Sequence, residues 1–251
     1  MDRMIHTALN SMKNLYDQRF KMSNNLANVN VPGFRRDLPN EGGAHNLARD
    51  RASPRSFMLE TGPAGFSSIQ GTVNESGVDW DVAIVGDGYF LVQPAGGEIA
   101  LSRRGDLHVN GDGLLVNGGE ELVLGADLAP IAVPPHREVQ IAETGEILIA
   151  PLDGEPGQFE SIGVIGSTLA VGEKLVKSLD GRIRRPDGSV PAADQGARFV
   201  QGMLEAANVN PVEELVSSLE VQRQFEISVK FIGLAEDIDR AGAEVMRLPE
   251  G

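Results

Sequence analysis

In Ser23-Asn24-Asn25-Leu26-Ala27-Asn28-Val29-Asn30-Val31-Pro32-Gly33-Phe34-Arg35 an amphipathic N-terminal helix runs into a knot of asparagines and stops. Asparagine is a mediocre helix former that tolerates left-handed backbone and carries both a donor and an acceptor. It suits a junction where backbone groups freed by a helix end need partners. The residue before Pro32 avoids helical geometry, and Gly33 allows the turn out. Upstream, Ile5, Ala8, Met12, Leu15, Met22, Leu26 and Val29 recur at every third or fourth position, with Leu9, Tyr16 and Phe20 widening the stripe. The spacing predicts a helix of about 28 residues, capped by Asp2 and ~42 Å long at 1.5 Å per residue.

The tetrapeptide Ala27-Asn28-Val29-Asn30 recurs as Ala207-Asn208-Val209-Asn210. The simplest closure of the chain packs the two copies side by side, so residues 28–30 are expected near residues 208–210. Asn210 then caps a second helix, with Pro211 at its first position and Glu213 three residues after the cap. At about 37 residues it spans ~55 Å. Its apolar positions form two stripes, one with Val212, Leu215, Leu219, Phe225, Val229 and Ile232, the other with Ile227, Phe231, Leu234, Ile238, Ala241 and Val245. One partner helix cannot cover both. The first helix is net basic and the second net acidic, which favours their pairing without holding it.

Between the helices, Arg35 to Gly77 is rich in glycine, proline, serine and arginine and reads as a linker or extended arm, although the same composition suits a disordered loop. From Trp80 the period changes to short strands punctuated by Asx-Gly turns. Trp80–Val85 and Tyr89–Gln93 flank Gly86-Asp87-Gly88, and Leu107–Asn110 and Leu114–Asn117 flank Gly111-Asp112-Gly113. Val139–Ala142 and Glu146–Ile149 flank Thr144-Gly145. All three read as hairpins. The expected organisation is an N-terminal helix and junction over 1–34, an arm over 35–75, an antiparallel β-domain over 76–200, and a C-terminal helix over 201–251.

The composition restricts function. With 22 basic and 36 acidic residues, the net charge of −14 disfavours nucleic acid and anionic membrane surfaces. There is no cysteine, so disulfides and thiolate sites are excluded. His6, His45, His108 and His136 are scattered without metal-ligand spacing. Asp79 and Asp81 share a strand face and could form an acid/base pair, but two carboxylates on a wet face are the commoner reading. The Gly-Asp-Gly turns lack the lysine of a phosphate loop and the ligand ladder of a calcium loop. Nothing here predicts a cofactor or catalysis. The start has no apolar segment of the secretory kind and no stretch approaches a membrane span, so export without a cleaved signal is expected.

The Asn24 to Phe34 run, with Asn208-Val209-Asn210 and Gln222-Arg223-Gln224-Phe225-Glu226, resembles the paired terminal signatures of bacterial flagellar rod and hook subunits. The resemblance extends through Asp81-Val82-Ala83-Ile84, Gly86-Asp87-Gly88-Tyr89-Phe90-Leu91-Val92 and Arg103-Arg104-Gly105-Asp106 to Ala235-Glu236-Asp237-Ile238-Asp239-Arg240-Ala241. Leu101-Ser102, Trp80 and Ala207 depart from the pattern. Proximal-rod members are the most similar, with distal-rod members as the alternative. The resemblance implies a mainly β central domain plus long N- and C-terminal α-helices that pair in a coiled-coil-like layer, a mixed α+β fold.

The implied role is a non-enzymatic structural subunit of the periplasmic rod, polymerising through its terminal helices into a tubular drive shaft that transmits torque and passes exported subunits. Its implied partners are copies of itself, the proximal and distal rod subunits and the flagellar type III export apparatus, with no nucleic acid and no direct membrane insertion. A periplasmic β-domain binding protein is the reading from a different class. Assembly contacts are expected on Ile5, Met12, Leu15, Met22 and Leu26 of the first helix. At the junction they fall on Asn24, Asn25, Asn28, Gly33 and Phe34, and at its echo on Asn208 and Asn210. On the second helix they fall on Leu215, Leu219, Gln222, Arg223, Phe225, Val229, Phe231 and Ile232.

Overall fold

The structure, a computed structural model, describes residues 2–39, 44–47, 55–58, 65–154, 157–178 and 180–246. Side chains are described for these except 2–10, 44–47, 55–58, 239, 245 and 246. The chain divides into two units that cut across its order. One comprises Met1–Ala27, Asp37–Gly62 and Asn210–Gly251, and the other Asn28–Arg36 and Pro63–Val209.

The first unit holds helix α1 (Asp2–Ala27), the antiparallel pair β1 (Ala44–Leu47) and β2 (Arg55–Met58), and helix α2 (Pro211–Met246). Helix α1 runs beside α2 and next to β2. The Asn210 side chain caps α2, its Oδ1 accepting from the amides of Val212 (3.1 Å) and Glu213 (3.4 Å).

The expected layer of long terminal helices paired like a coiled coil is not what forms. Among the described residues there is one N-terminal helix, one C-terminal helix and a large β-rich centre, so the class is mixed α+β without that layer. A coiled-coil seam buries successive apolar positions of both helices. Here the buried positions of α2 are Glu214, Val221 and Ala235, while Leu215, Leu219, Val229 and Ile238 stay exposed. On α1 the buried positions are Leu15 and Asn25. The small or polar side chains of α2 let a neighbour approach, and its large apolar ones point elsewhere.

The second unit is β-structure, and every strand pairing among the described residues is antiparallel. Its largest sheet orders β14 (Val176–Lys177), β15 (Ile183–Arg184), β6 (Ala100–Ser102), β5 (Tyr89–Gln93), β9 (Leu122–Val123), β8 (Leu115–Asn117) and β7 (Leu107–Val109), with β13 (Ser167–Thr168) also on β5. Three strands, β10 (His136–Ile141), β11 (Glu146–Pro151) and β12 (Glu160–Val164), form a meander. Two pairs complete the unit: β4 (Val82–Val85) with β16 (Arg198–Gln201), and β3 (Val73–Glu75) with β17 (Met203–Glu205).

Strand β5 explains how the core sits. Its run Tyr-Phe-Leu-Val has no polar alternation because both faces are covered. Phe90 and Val92 enter a cluster with Leu115, Ile147, Ile149 and Phe199, and Tyr89 and Leu91 enter another with Leu101, Leu124 and Ile183. The Phe90 and Phe199 rings pack with centroids 5.6 Å apart.

Two of the expected hairpins form, β7 with β8 and β10 with β11. The third does not. Strand β4 pairs with β16 rather than β5, because the backbone around Gly86-Asp87-Gly88 is claimed by a side chain from elsewhere: the Arg103 guanidinium donates to the carbonyls of Ile84 (2.9 Å), Gly86 (2.9 Å) and Gly88 (2.8 Å).

Candidate functional site

The junction residues separate into two sets. In the helical unit, Asn25 is buried at 1% exposure and pairs with the backbone of Asp37 as a strand would. Its Nδ2 donates to the Asp37 carbonyl (3.0 Å) and its Oδ1 accepts from the Asp37 amide (2.7 Å). Asn24 donates to the Asp37 carboxylate (2.6 Å), and Lys21 donates to the Leu38 carbonyl (3.0 Å). Burial holds the Lys21 ammonium below its ordinary pKa, against the raising effect of Asp37 and Asp17. The end of α1 and the returning segment 37–38 are thereby tied together.

In the β-unit, residues 28–36 are built into the fold. The Val31 amide donates to Asn28 O (3.0 Å) and the Gly33 amide to Glu205 O (2.7 Å). Gly33 has φ +66°, and a Cβ there would meet Arg103 O at 2.1 Å, so only glycine fits. Lys177 Nζ donates to Arg35 O (2.8 Å) and lies 3.9 Å from the centroid of the Phe34 ring.

Asn208 is the hub of the echo. Its amide donates to Phe34 O (3.2 Å), its Oδ1 accepts from the Arg36 amide (2.6 Å), and its Nδ2 donates to Ser67 O (3.2 Å) and Ile69 O (2.6 Å). The repeat therefore meets the first junction several residues beyond the matching tetrapeptide. Val29 and Asn30 instead border a cavity of about 330 Å³ with Ala206 and Ala207.

Behind the junction lies a buried charge cluster that the sequence reading did not single out. Glu205 Oε2 accepts from Arg103 Nε (2.8 Å) and Nη2 (2.6 Å), and Oε1 accepts from the Gly71 amide (3.0 Å) and pairs with Arg35 Nη2 (3.1 Å). Arg35, Arg103 and Glu205 are all at most 4% exposed. Burial pushes the Arg35 pKa down, Glu205 opposes this, and Arg103 adds to it. Arg103 was visible only as part of a charged turn, and charge alone reads as surface.

The expected assembly residues of α2 are largely on its surface. Leu215, Leu219, Phe225, Val229 and Phe231 are exposed, as are Gln222 and Arg223, and Ile232 is half-buried. On α1, Leu15 is buried, Met12 and Met22 are half-buried, and Leu26 is exposed with Tyr16 and Phe20. The side chain of Ile5 lies outside the described residues. No group of side chains suited to a metal ion occurs among the described residues, and none of the described helices is long and apolar enough to cross a membrane. Asp79 and Asp81 do not make an acid/base pair: Asp81 is buried and bridges the strand segment at Asp106.

Residues 200–245 match the family model described as "Flagellar basal body rod FlgEFG protein C-terminal", and residues 83–149 match "Flagellar hook protein FlgE/F/G D1 domain". The chain is 30% identical to the flagellar basal-body rod protein FlgF of Salmonella typhimurium, over 92% of this chain and 93% of the relative. It is 29% identical to FlgF of Escherichia coli over 94% and 95%, and 30% identical to the rod protein FlgG of Buchnera aphidicola subsp. Schizaphis graminum over 86% and 89%.

Proposed function

The chain belongs to the family of flagellar basal-body rod proteins, and from that premise we propose that it polymerises into the proximal rod through the outward face of α2. It is a structural rod subunit of the basal body. The observation that carries the mode of assembly is the surface of α2, where ten large apolar side chains from Val212 to Ile238 are exposed while the buried apolar ones are Val221 and Ala235. An apolar area on that scale is kept by a protein that covers it with a partner.

Copies of itself and neighbouring proximal and distal rod subunits are the partners, and the flagellar export apparatus delivers it. Its role is mechanical, transmitting torque, and not enzymatic. A distal-rod role is the second reading, favoured by the FlgG relative that matches at the same 30% identity.

The test replaces Leu219 and Phe231 by aspartate in the full chain. Both side chains are exposed, so stability of the monomer should change by no more than about 0.5 kcal/mol each. Rod assembly and swimming should be lost. Normal flagella on cells carrying only the doubly substituted chain would overturn the reading.

A further inference from the structure

We propose that a cavity of the β-unit walled by Arg35 receives a carboxylate carried by an acidic side chain of a neighbouring copy of this chain. The inference rests on the assembly reading for the source of the carboxylate and on the buried cluster for the site itself.

A count of donors identifies the vacancy. A guanidinium has five N–H donors and a carboxylate about four acceptor sites. Arg103 uses all five: Nε and one Nη2 hydrogen on Glu205, the other Nη2 hydrogen on Ile84 O, and the Nη1 pair on Gly86 O and Gly88 O. Glu205 is saturated too, by Arg103 twice, by Arg35 and by the Gly71 amide. One anion thus serves two cations. Arg35 spends Nη2 on Glu205 and Nη1 on Ile69 O, and its Nε, buried, has no partner. An excess of one positive charge and an unused donor remain on a side chain 4% exposed, where an unmet hydrogen bond to a charged group costs most.

Arg35 borders a cavity of about 430 Å³ whose walls include Phe66, Gly88, Tyr89, Leu169 and Leu175. Two carboxylates also border it. Glu173 is already held by Arg185 (2.7 and 2.9 Å), and Asp87 is exposed to solvent and acts on Arg35 through its field without a hydrogen bond. A single free donor and a single unbalanced charge match a monoanion, and the chain, with 36 acidic residues against 22 basic, carries many exposed carboxylates to offer. A neighbour that inserts one completes the Arg35 valence, which ties the junction segment of one subunit to the next.

The test uses the full chain with ¹⁵N-labelled arginine. The Arg35 Nε–H resonance, assigned by its disappearance in Arg35→Lys, is followed during titration with propionate, which is the glutamate side chain as a free molecule, and with neutral propionamide. A saturable downfield shift with propionate, at least tenfold weaker with propionamide, is expected. Absence of a saturable propionate shift overturns the site.

Assembly then separates the sources. Arg35→Lys keeps the charge but lacks Nε–H, and Val171→Trp, at the exposed edge of the cavity, leaves the buried cluster untouched. Both should reduce assembly at least tenfold. If propionate binds but both variants assemble normally, the site takes a free small carboxylate and the neighbour assignment is overturned. If Leu219→Asp with Phe231→Asp assembles normally while Arg35→Lys and Val171→Trp do not, the α2 reading falls and the cavity stands.

Discussion

Arg103 and Glu205 stand 102 residues apart in the chain and are joined by two hydrogen bonds of 2.8 and 2.6 Å with both side chains buried. The pair locks the 82–88 segment, the β17 end and the Gly33 turn into one piece, because Arg103 also caps three carbonyls and Glu205 also takes the Gly71 amide. Replacing such a pair with apolar groups is often neutral, since its burial is itself costly. Here it is not expected to be, as three carbonyls would lose their donor.

Glu205→Gln should therefore destabilise the β-unit by about 3 to 5 kcal/mol, the usual cost of leaving a buried charge uncompensated, and here two guanidinium groups are left. Urea unfolding followed at Trp80 measures it. A loss under about 1 kcal/mol would show that water reaches the cluster and that it is not a closed network.

Asn25 offers a second point of failure, in the helical unit. Its amide completes both backbone groups of Asp37, so Asn25→Ala strands a buried donor and acceptor at a cost of about 1 to 3 kcal/mol per unsatisfied group. Asn24→Ala, which removes one partly buried bond to the Asp37 carboxylate, should cost less. Limited proteolysis is the readout: cleavage in segment 37–39 should accelerate in Asn25→Ala before Asn24→Ala. Equal rates in the two variants would remove the distinction.

Asp81 gives a pH signature. Burial, reinforced by Asp106 and opposed by a hydrogen bond from Ser76, holds its pKa above the ordinary carboxylate value. The native state then binds this proton more tightly than the unfolded chain does. The stabilisation is fully present below the unfolded pKa, about 3.9, and is lost as pH rises through the folded value. Asp81→Asn should melt higher than the parent at pH 7, and the two curves should converge near pH 3. A variant that melts lower at pH 7 would mean the carboxylate is held as an anion.

What the sequence makes legible is local. The hairpins at Gly111-Asp112-Gly113 and Thr144-Gly145, and the Asn210 cap, each depend on a few adjacent residues whose backbone preferences agree. The β4–β5 hairpin misleads because its turn looks equally good, yet Arg103 from another strand takes the carbonyls that would face the ladder. Helix pairing misleads for a related reason. Periodicity shows that α2 has apolar stripes but not which row meets a neighbour, and the row buried carries Glu214, Val221 and Ala235. The buried cluster is the least legible feature, since Arg35, Arg103 and Glu205 become neighbours only through the fold and each reads alone as a surface charge.

The exposed stripes of α2 bear on when that helix becomes stable. Its 36 residues lie mostly uncovered, with ten large apolar side chains exposed, so tertiary packing supplies little of what holds it. Ordering its backbone costs ~1 to 2 kcal/mol per residue, and intrinsic helix propensity leaves isolated helices marginal in water. Burial at about 25 cal/mol per Å² becomes available only when neighbouring subunits cover the stripes. Stability of α2 should then rise with subunit concentration by mass action.

Amide exchange on dilute chain is expected to show opening free energies below ~2 kcal/mol across residues 215–240, against values near the global stability, ~5 to 15 kcal/mol, for residues 89–93 at the centre of the β-unit. In assembled rods the two segments should become comparably protected. If residues 215–240 in dilute monomer are already as protected as residues 89–93, α2 folds on its own and assembly does not supply its stability.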